Sequence, residues 1–150
     1  MSIYAQNDST SHCIMLRKIA ASIIPPKHFT YDSVTDKITH QGSLASIQAN
    51  EVKNRNYKKI TAAITGKYLA SQGFELLEKR DTKMQDNSDA VLFRCRFRSH
   101  DDKGNELDFI RLMLFTGTEN TIWITADFPE CMEKLIESAI TSSIITISKN

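Results

Sequence analysis

The residues best suited to nucleophilic chemistry lie near the start of the chain, where His12 and Cys13 are adjacent. A thiol nucleophile needs a base at hydrogen-bonding distance and a third group that orients the base, and adjacency in sequence supplies neither. The other histidines, His28, His40 and His100, show no ligand spacing among themselves. We therefore predict solvated histidines and no catalytic nucleophile.

The three cysteines, Cys13, Cys95 and Cys131, are odd in number and widely separated, which argues against a disulfide framework and against a CxxC metal site. Reduced, mostly buried thiols are the prediction. The acidic segment 100–106 does not place oxygen ligands in the register of a calcium loop, so a hydrated hairpin turn is expected there. Because phosphate-binding, dinucleotide-binding and zinc-protease motifs are also absent, we predict no enzyme, no cofactor and no metal.

The remaining side chains with chemistry for recognition are arginines and the only tryptophan, in a strand-rich region. Strand alternation predicts that they share one sheet face with Met113 and Phe115. Arginine and tryptophan are enriched at interface hot spots, so we predict a partner-binding surface. In the alternative interpretation, a helix or the N-terminal segment covers this face and the arginines pair with Glu75, Glu78 or Asp81. The candidate residues are Arg94, Arg96, Arg98, Arg111 and Trp123.

Alternating apolar residues and short turns rich in Gly, Asn and Asp predict the strands that position these side chains. Residues 44–52 form one predicted strand. A four-stranded antiparallel meander is predicted further along the chain, because its connections are short enough for hairpins. Its strands are 74–84, 89–98, 106–115 and 121–128.

Helical spacing predicts two main helices flanking the sheet. The first begins after the capping residues Asn54 and Asn56, ends at Gly73, and has an apolar stripe of Tyr57, Ile60, Ala63, Ile64, Tyr68 and Leu69. The second follows Pro129, which suits a first helical position. Its predicted buried stripe is Met132, Leu135, Ile136, Ala139 and Ile140. Residues 142–148 are predicted to form a final strand.

Length and composition predict one soluble α+β domain at 14–150 after a flexible tail at 1–13. The chain has 150 residues, 41% of them hydrophobic, with 19 basic and 18 acidic side chains. This balance excludes a disordered polyelectrolyte and a protein that coats DNA. No apolar run approaches the roughly 20 residues that span a bilayer. The polar start lacks a secretory signal, so a cytoplasmic location is expected unless a signal has been removed.

Several segments together resemble the PsbP-like superfamily. They are SIIPPKHF, GSLASIQANEV, LASQGFELLEKRDTKM, DAVLFRCRF, FIRLMLFTGTENTIWITADFP and SAITSSIITI, in this order. The resemblance covers about residues 14–148 and rests on element order and on apolar, Gly and Pro positions. The superfamily includes the extrinsic protein of the oxygen-evolving complex, the Ran-release factor and many bacterial proteins.

The resemblance implies an α/β/α sandwich around a central antiparallel sheet, and a protein that acts by binding other proteins. We therefore expect a non-enzymatic adaptor, assembly factor, chaperone or regulatory subunit. One alternative is a nucleic-acid-binding module that uses the Arg/Trp face, although the nearly neutral charge argues against it. A small-ligand carrier is the second alternative.

Overall fold

The computed structural model describes residues 12–149, so that most of the predicted tail, residues 1–11, lies outside the described residues. The helices are α1 (Tyr57–Ala63), α2 (Gly66–Ser71) and α3 (Glu133–Ile144), and short 3₁₀ turns span Gln41–Ser43 and Glu130–Met132. The strands are β1 (Ile14–Leu16), β2 (Ala21–Ile23), β3 (Thr30–Asp32), β4 (Lys37–His40), β5 (Ala45–Val52), β6 (Glu75–Lys83), β7 (Asp89–His100), β8 (Glu106–Thr116), β9 (Thr121–Pro129) and β10 (Ser148–Lys149).

A seven-stranded antiparallel sheet dominates this α+β fold, with the strand order β3-β4-β5-β9-β8-β7-β6. The strands β6 to β9 pair in chain order, and β5 continues the sheet beside β9. Because the sheet has seven strands and the described residues contain three helices, the predicted four-stranded meander with two main helices is not confirmed. The general class, an antiparallel sheet with helices, agrees with the sequence prediction.

The helix α3 and the small sheet β1-β2-β10 cover one face of the large sheet. Aliphatic side chains fill the space between them, including Ile140 and Ile144 of α3 against Leu112 and Ile124 of the sheet. The end of α3 is also tied to the chain after β2, because the Ser143 hydroxyl donates to the Ile24 carbonyl over 2.6 Å. This α3 face holds the larger apolar core.

The predicted helix before Gly73 is two short helices that cover the opposite face. The helix α1 begins at the cap Asn56, as predicted, and ends at Ile64, whose backbone is extended. The Thr65 hydroxyl then accepts a hydrogen bond from the Tyr68 amide at 3.0 Å and caps the N-terminus of α2. Gly73 follows α2 in the left-handed conformation, with φ of 89°. None of the helices in residues 12–149 is long and apolar enough to cross a bilayer.

The last helix differs from its prediction in its buried stripe and in its length. Leu135 is 75% exposed and Ala139 is exposed, whereas Ile140 and Ile144 are fully buried. The helix runs to Ile144, so the predicted strand at 142–148 is reduced to the two residues of β10. The β-branched run at 144–147 favoured a strand locally, but packing of Ile144 in the core favours the helix.

Candidate ligand-binding cleft

The pairing register of β7 and β8 divides the predicted Arg/Trp surface between two faces. Arg94 pairs with Leu112, and Arg96 pairs with Ile110, so both arginines lie on the α3 face. Arg111 pairs with Cys95 and lies on the opposite face, as does Trp123 opposite Phe115. The prediction of one shared face is therefore wrong. A register difference of one residue moves every side chain of a strand to the other face.

The arginines near α3 hold this helix to the sheet by ion pairs. Arg94 donates to Glu137, with Nε–Oε2 at 2.9 Å, and also contacts Glu133. Arg96 donates to both oxygens of Glu130, at 2.9 and 2.8 Å. The hydrogen bonds from Arg96 lower the pKa of Glu130 below its ordinary value. This arrangement agrees with the alternative interpretation, in which a helix covers the face and the arginines are paired. Most of the carboxylates, however, come from α3 and the turn that leads into it, and not from the acidic residues that the sequence suggested.

The remaining ion pairs of the candidate arginines involve Arg96, Arg98 and Arg111. Arg96 additionally donates to Glu75, which is one of the partners that the sequence suggested. Arg98, 65% exposed, contacts Glu106 and Asp108 at 3.1 and 3.0 Å. The Arg111 guanidinium donates two hydrogen bonds to the Asp127 carboxylate, at 2.7 and 2.8 Å, and these bonds raise the pKa of Arg111. The Arg111 guanidinium also lies against the rings of Phe74 and Phe97.

A cleft of about 630 Å³ lies between the two short helices and the sheet. We call it the apolar cleft. Its helix wall includes Ile60, Ile64 and Leu69, and its sheet wall includes Met113, Phe115 and Trp123. Phe115 and Trp123 stack with their ring centroids 5.6 Å apart. The predicted helix stripe is thus only partly buried, because Tyr68 is 51% exposed and Ile60 and Ile64 are half-buried beside the cleft.

The β8–β9 turn fixes the start of α1 and therefore the position of the helix wall. The Tyr57 amide donates to the Gly117 carbonyl at 3.0 Å, and the Thr121 hydroxyl donates to the Arg55 carbonyl at 2.8 Å. Gly117 has φ of 111°, and a Cβ atom there would lie 2.0 Å from the Asn120 carbonyl oxygen. This turn conformation therefore requires glycine.

Three polar groups of the apolar cleft, on Trp123, Arg55 and Lys59, make no side-chain hydrogen bond to the described residues, whereas Arg111 and Gln72 do. In residues 12–149, Trp123 Nε1 is the one buried side-chain nitrogen or oxygen without a hydrogen bond. Leaving a buried donor unsatisfied costs about 1–3 kcal/mol. Arg55 and Lys59 line the cleft, and both are exposed. An occupant with an apolar body and oxygen acceptors fits this arrangement chemically.

The cysteines and histidines are dispersed along the fold, and His40 is half-buried with its Nδ1 2.8 Å from the Ser43 hydroxyl, unlike the solvated histidine that the sequence predicts. Cys95 is buried, and its burial raises the thiol pKa to about 11, while Cys13 and Cys131 are exposed, which corrects the prediction of mostly buried thiols. Over residues 12–149, no group of three or more His, Cys, Asp or Glu side chains could hold a metal ion. The acidic turn is organised by Asp101, whose carboxylate accepts the Lys103 and Asn105 amides at 2.9 and 2.8 Å.

The cleft could not be predicted from the sequence, because helical spacing does not reveal how closely a helix packs on its neighbour. The stripe that contains Ile60 and Ile64 predicts a buried surface, and the gap beneath it depends on the break between α1 and α2. The one available signal was the pair of cations, Arg55 and Lys59, at the start of an apolar stripe.

The fold places the chain in the class of α+β proteins with an antiparallel sheet. Among solved structures, it is similar to LpqN of Mycobacterium tuberculosis, described as involved in cell envelope biogenesis. The TM-score is 0.59 at 10% sequence identity, over 86% of this chain and 82% of LpqN. No protein-family model and no curated protein matches the sequence. The likeness to LpqN therefore concerns the fold.

Proposed function

We propose that this chain is a non-enzymatic protein-binding domain that holds an apolar segment of its partner in the apolar cleft. The observation that carries the proposal is a cleft of about 630 Å³ with aromatic and aliphatic walls and an unsatisfied indole N–H. A partner segment would bury the walls, and a shift of the indole that uncovers the buried Trp123 Nε1 would let a backbone or side-chain oxygen accept its hydrogen bond at about 3 Å. An adaptor, assembly factor, chaperone or regulatory subunit would each use such a site.

The proposal moves the binding site away from most of the arginines suggested by the sequence. Arg94 and Arg96 hold α3 to the sheet, and Arg98 pairs with carboxylates of β8. Trp123 stays in the proposed site, and Arg111 lies at its edge, paired with Asp127. Membership of the PsbP-like superfamily and a cytoplasmic location both stay predictions.

Site-specific photo-cross-linking in the cell that makes the protein tests the proposal. A benzophenone amino acid replaces Tyr68, at the mouth of the cleft, and in a matched control it replaces Leu135 on the outer surface of α3. We expect Tyr68 to give an adduct whose cross-linked peptide is apolar, and Leu135 to give none. The substitution Ile60→Asp should abolish the Tyr68 adduct, because it places a charge in an apolar site. Identical adducts from both positions, or an Ile60→Asp variant that cross-links normally, would contradict the proposal.

A small-ligand carrier is the second candidate, and the volume of the cleft supports it. Ligand pockets commonly measure about 300–1,000 Å³, a range that includes this cleft. Native mass spectrometry of the protein purified from its own cells should then detect a bound small molecule. Its absence after gentle purification, with a peptide adduct at Tyr68, would favour the protein-binding function.

The nucleic-acid alternative gains no support from the arginines, because phosphates would have to displace their carboxylate partners. Arg94, Arg96 and Arg111 each make at least two hydrogen bonds to carboxylates. We expect no shift of labelled single-stranded RNA or DNA in a gel at low salt. A shift that disappears steeply as salt is raised would instead support nucleic-acid binding.

A further inference from the structure

One end of the apolar cleft carries two exposed cations, Arg55 and Lys59, which form no ion pair with the described residues. Arg55 and Lys59 line both the cleft and an adjoining depression formed with Asn54, Asn56 and Asn120. Within the described part of the chain, neither side chain makes an ion pair or a side-chain hydrogen bond, unlike Arg94, Arg96, Arg98 and Arg111. This end of the cleft is therefore locally positive.

Cations outnumber carboxylates at this end, where Glu119 is the acidic side chain among the described residues of the depression. The part of the cleft lining that the structure describes contains no Asp or Glu, and Asp127 is engaged by Arg111. Glu119 lies in the adjoining depression but forms no ion pair with Arg55 or Lys59. The cleft thus combines apolar walls with a positive end.

We infer that the segment bound in the apolar cleft is an apolar peptide with acidic side chains at the end beside Arg55 and Lys59. The inference rests on the proposed function and adds the chemistry and orientation of the partner. Apolar side chains contact the walls between Ile64 and Trp123, and the acidic residues contact the two cations. Complementary charge at a rim increases the association rate and fixes the register of a bound segment.

Titration with three synthetic peptides tests this inference. The peptides share one apolar core without tryptophan and carry a Glu pair, a Gln pair or a Lys pair at one end. Binding is followed by the fluorescence of Trp123, the only tryptophan in the chain. We expect the Glu peptide to bind roughly fivefold to thirtyfold more tightly than the Lys peptide at low salt, as for two partly screened ion pairs. Raising the salt concentration should reduce this ratio.

Charge variants of the protein identify the residues responsible. The double variant Arg55→Glu/Lys59→Glu should reverse the order of the Glu and Lys peptides, and Arg55→Gln/Lys59→Gln should bring their affinities together. The neutral variant keeps the test decisive if the acidic one does not fold. The matched control for the Gln double variant is Lys67→Glu, which changes the net charge by the same amount on α2 outside the cleft lining and should leave the order unchanged.

Failure of the inference can be distinguished from failure of the proposed function. If the three peptides bind equally to the unaltered protein, the inference of acidic residues in the partner is wrong. The proposed function, binding of an apolar segment in the cleft, would still hold. Binding of decanoate without binding of any peptide would overturn both and favour the small-ligand carrier. No fluorescence response to the peptides, with no displacement of an environment-sensitive dye by them, would also overturn both.

Discussion

The two faces of the large sheet differ in how their polar groups are satisfied. On the α3 face, Arg94 and Arg96 are held by three carboxylates of α3 and the turn that leads into it, and aliphatic residues fill the remaining space. On the cleft face, aromatic and aliphatic residues are mixed, the Trp123 N–H lacks an acceptor, and Arg55 and Lys59 lack ion-pair partners within the described chain. Both faces contain arginine and apolar side chains, so composition alone does not separate them.

Whether polar groups are hydrogen-bonded within the protein thus separates structural from binding surfaces more clearly than residue type does. Arginine is common at interfaces, but an arginine already held by two carboxylates must lose those bonds before it contacts a partner. An unsatisfied buried N–H beside an apolar opening has the opposite property, because an occupant removes a cost that the free protein bears. The following predictions test whether the α3 face is structural and the cleft face is not.

The largest expected effect comes from the core beneath α3. Ile140→Ala should lower the free energy of unfolding by about 2–5 kcal/mol, because Ile140 is fully buried against the sheet. Leu135→Ala, on the exposed side of the same helix, should change it by less than about 0.5 kcal/mol. Urea unfolding measures both values. Similar losses in the two variants would show that α3 does not pack on the sheet as described.

A smaller loss of stability is expected from substitution of Arg111. This residue lies on the cleft face, but it is ion-paired like the arginines of the α3 face. Arg111→Ala should destabilise the protein by about 2–3 kcal/mol, because it leaves Asp127 without its partner in a half-buried position. The exposed Arg98→Ala should cost less than about 1 kcal/mol. The double variant Arg111→Ala/Asp127→Ala should recover part of the loss. If Arg111→Ala is no more costly than Arg98→Ala, the pair with Asp127 is not structural.

The strands β5 to β9 and their approximate limits could be predicted from the sequence because alternation and turn residues are local signals, whereas the short strands β1 to β4 were not predicted. The face of the sheet on which each β7 side chain lies could not be predicted. It depends on how the turn after His100 aligns β7 with β8, and a shift of one residue moves every β7 side chain to the other face. The same limit applies to the cleft. Ile60 and Ile64 have the spacing of core residues, and their incomplete burial follows from the position of α1 against the β8–β9 turn.

The smallest expected effect is the pH dependence that Glu130 contributes on the α3 face. The pKa of Glu130 is below its ordinary value of 4.5 in the folded protein, chiefly because Arg96 donates hydrogen bonds to it. The folded state therefore binds this proton less readily than the unfolded state. Its stabilising contribution is present above pH 4.5 and is lost as the pH falls through the folded pKa.

Thermal unfolding of Glu130→Gln measures this contribution. The variant should melt below the unaltered protein near neutral pH, and the two melting temperatures should converge as the pH is lowered and Glu130 becomes protonated in the folded protein. Glu106→Gln is the matched control, since it removes a carboxylate from the exposed pair with Arg98. We expect it to shift the melting temperature less than Glu130→Gln does at neutral pH. A Glu130→Gln difference that persists unchanged in acid would mean that the Arg96–Glu130 pair does not hold the turn that leads into α3. The contrast with the cleft face would then rest on apolar packing alone.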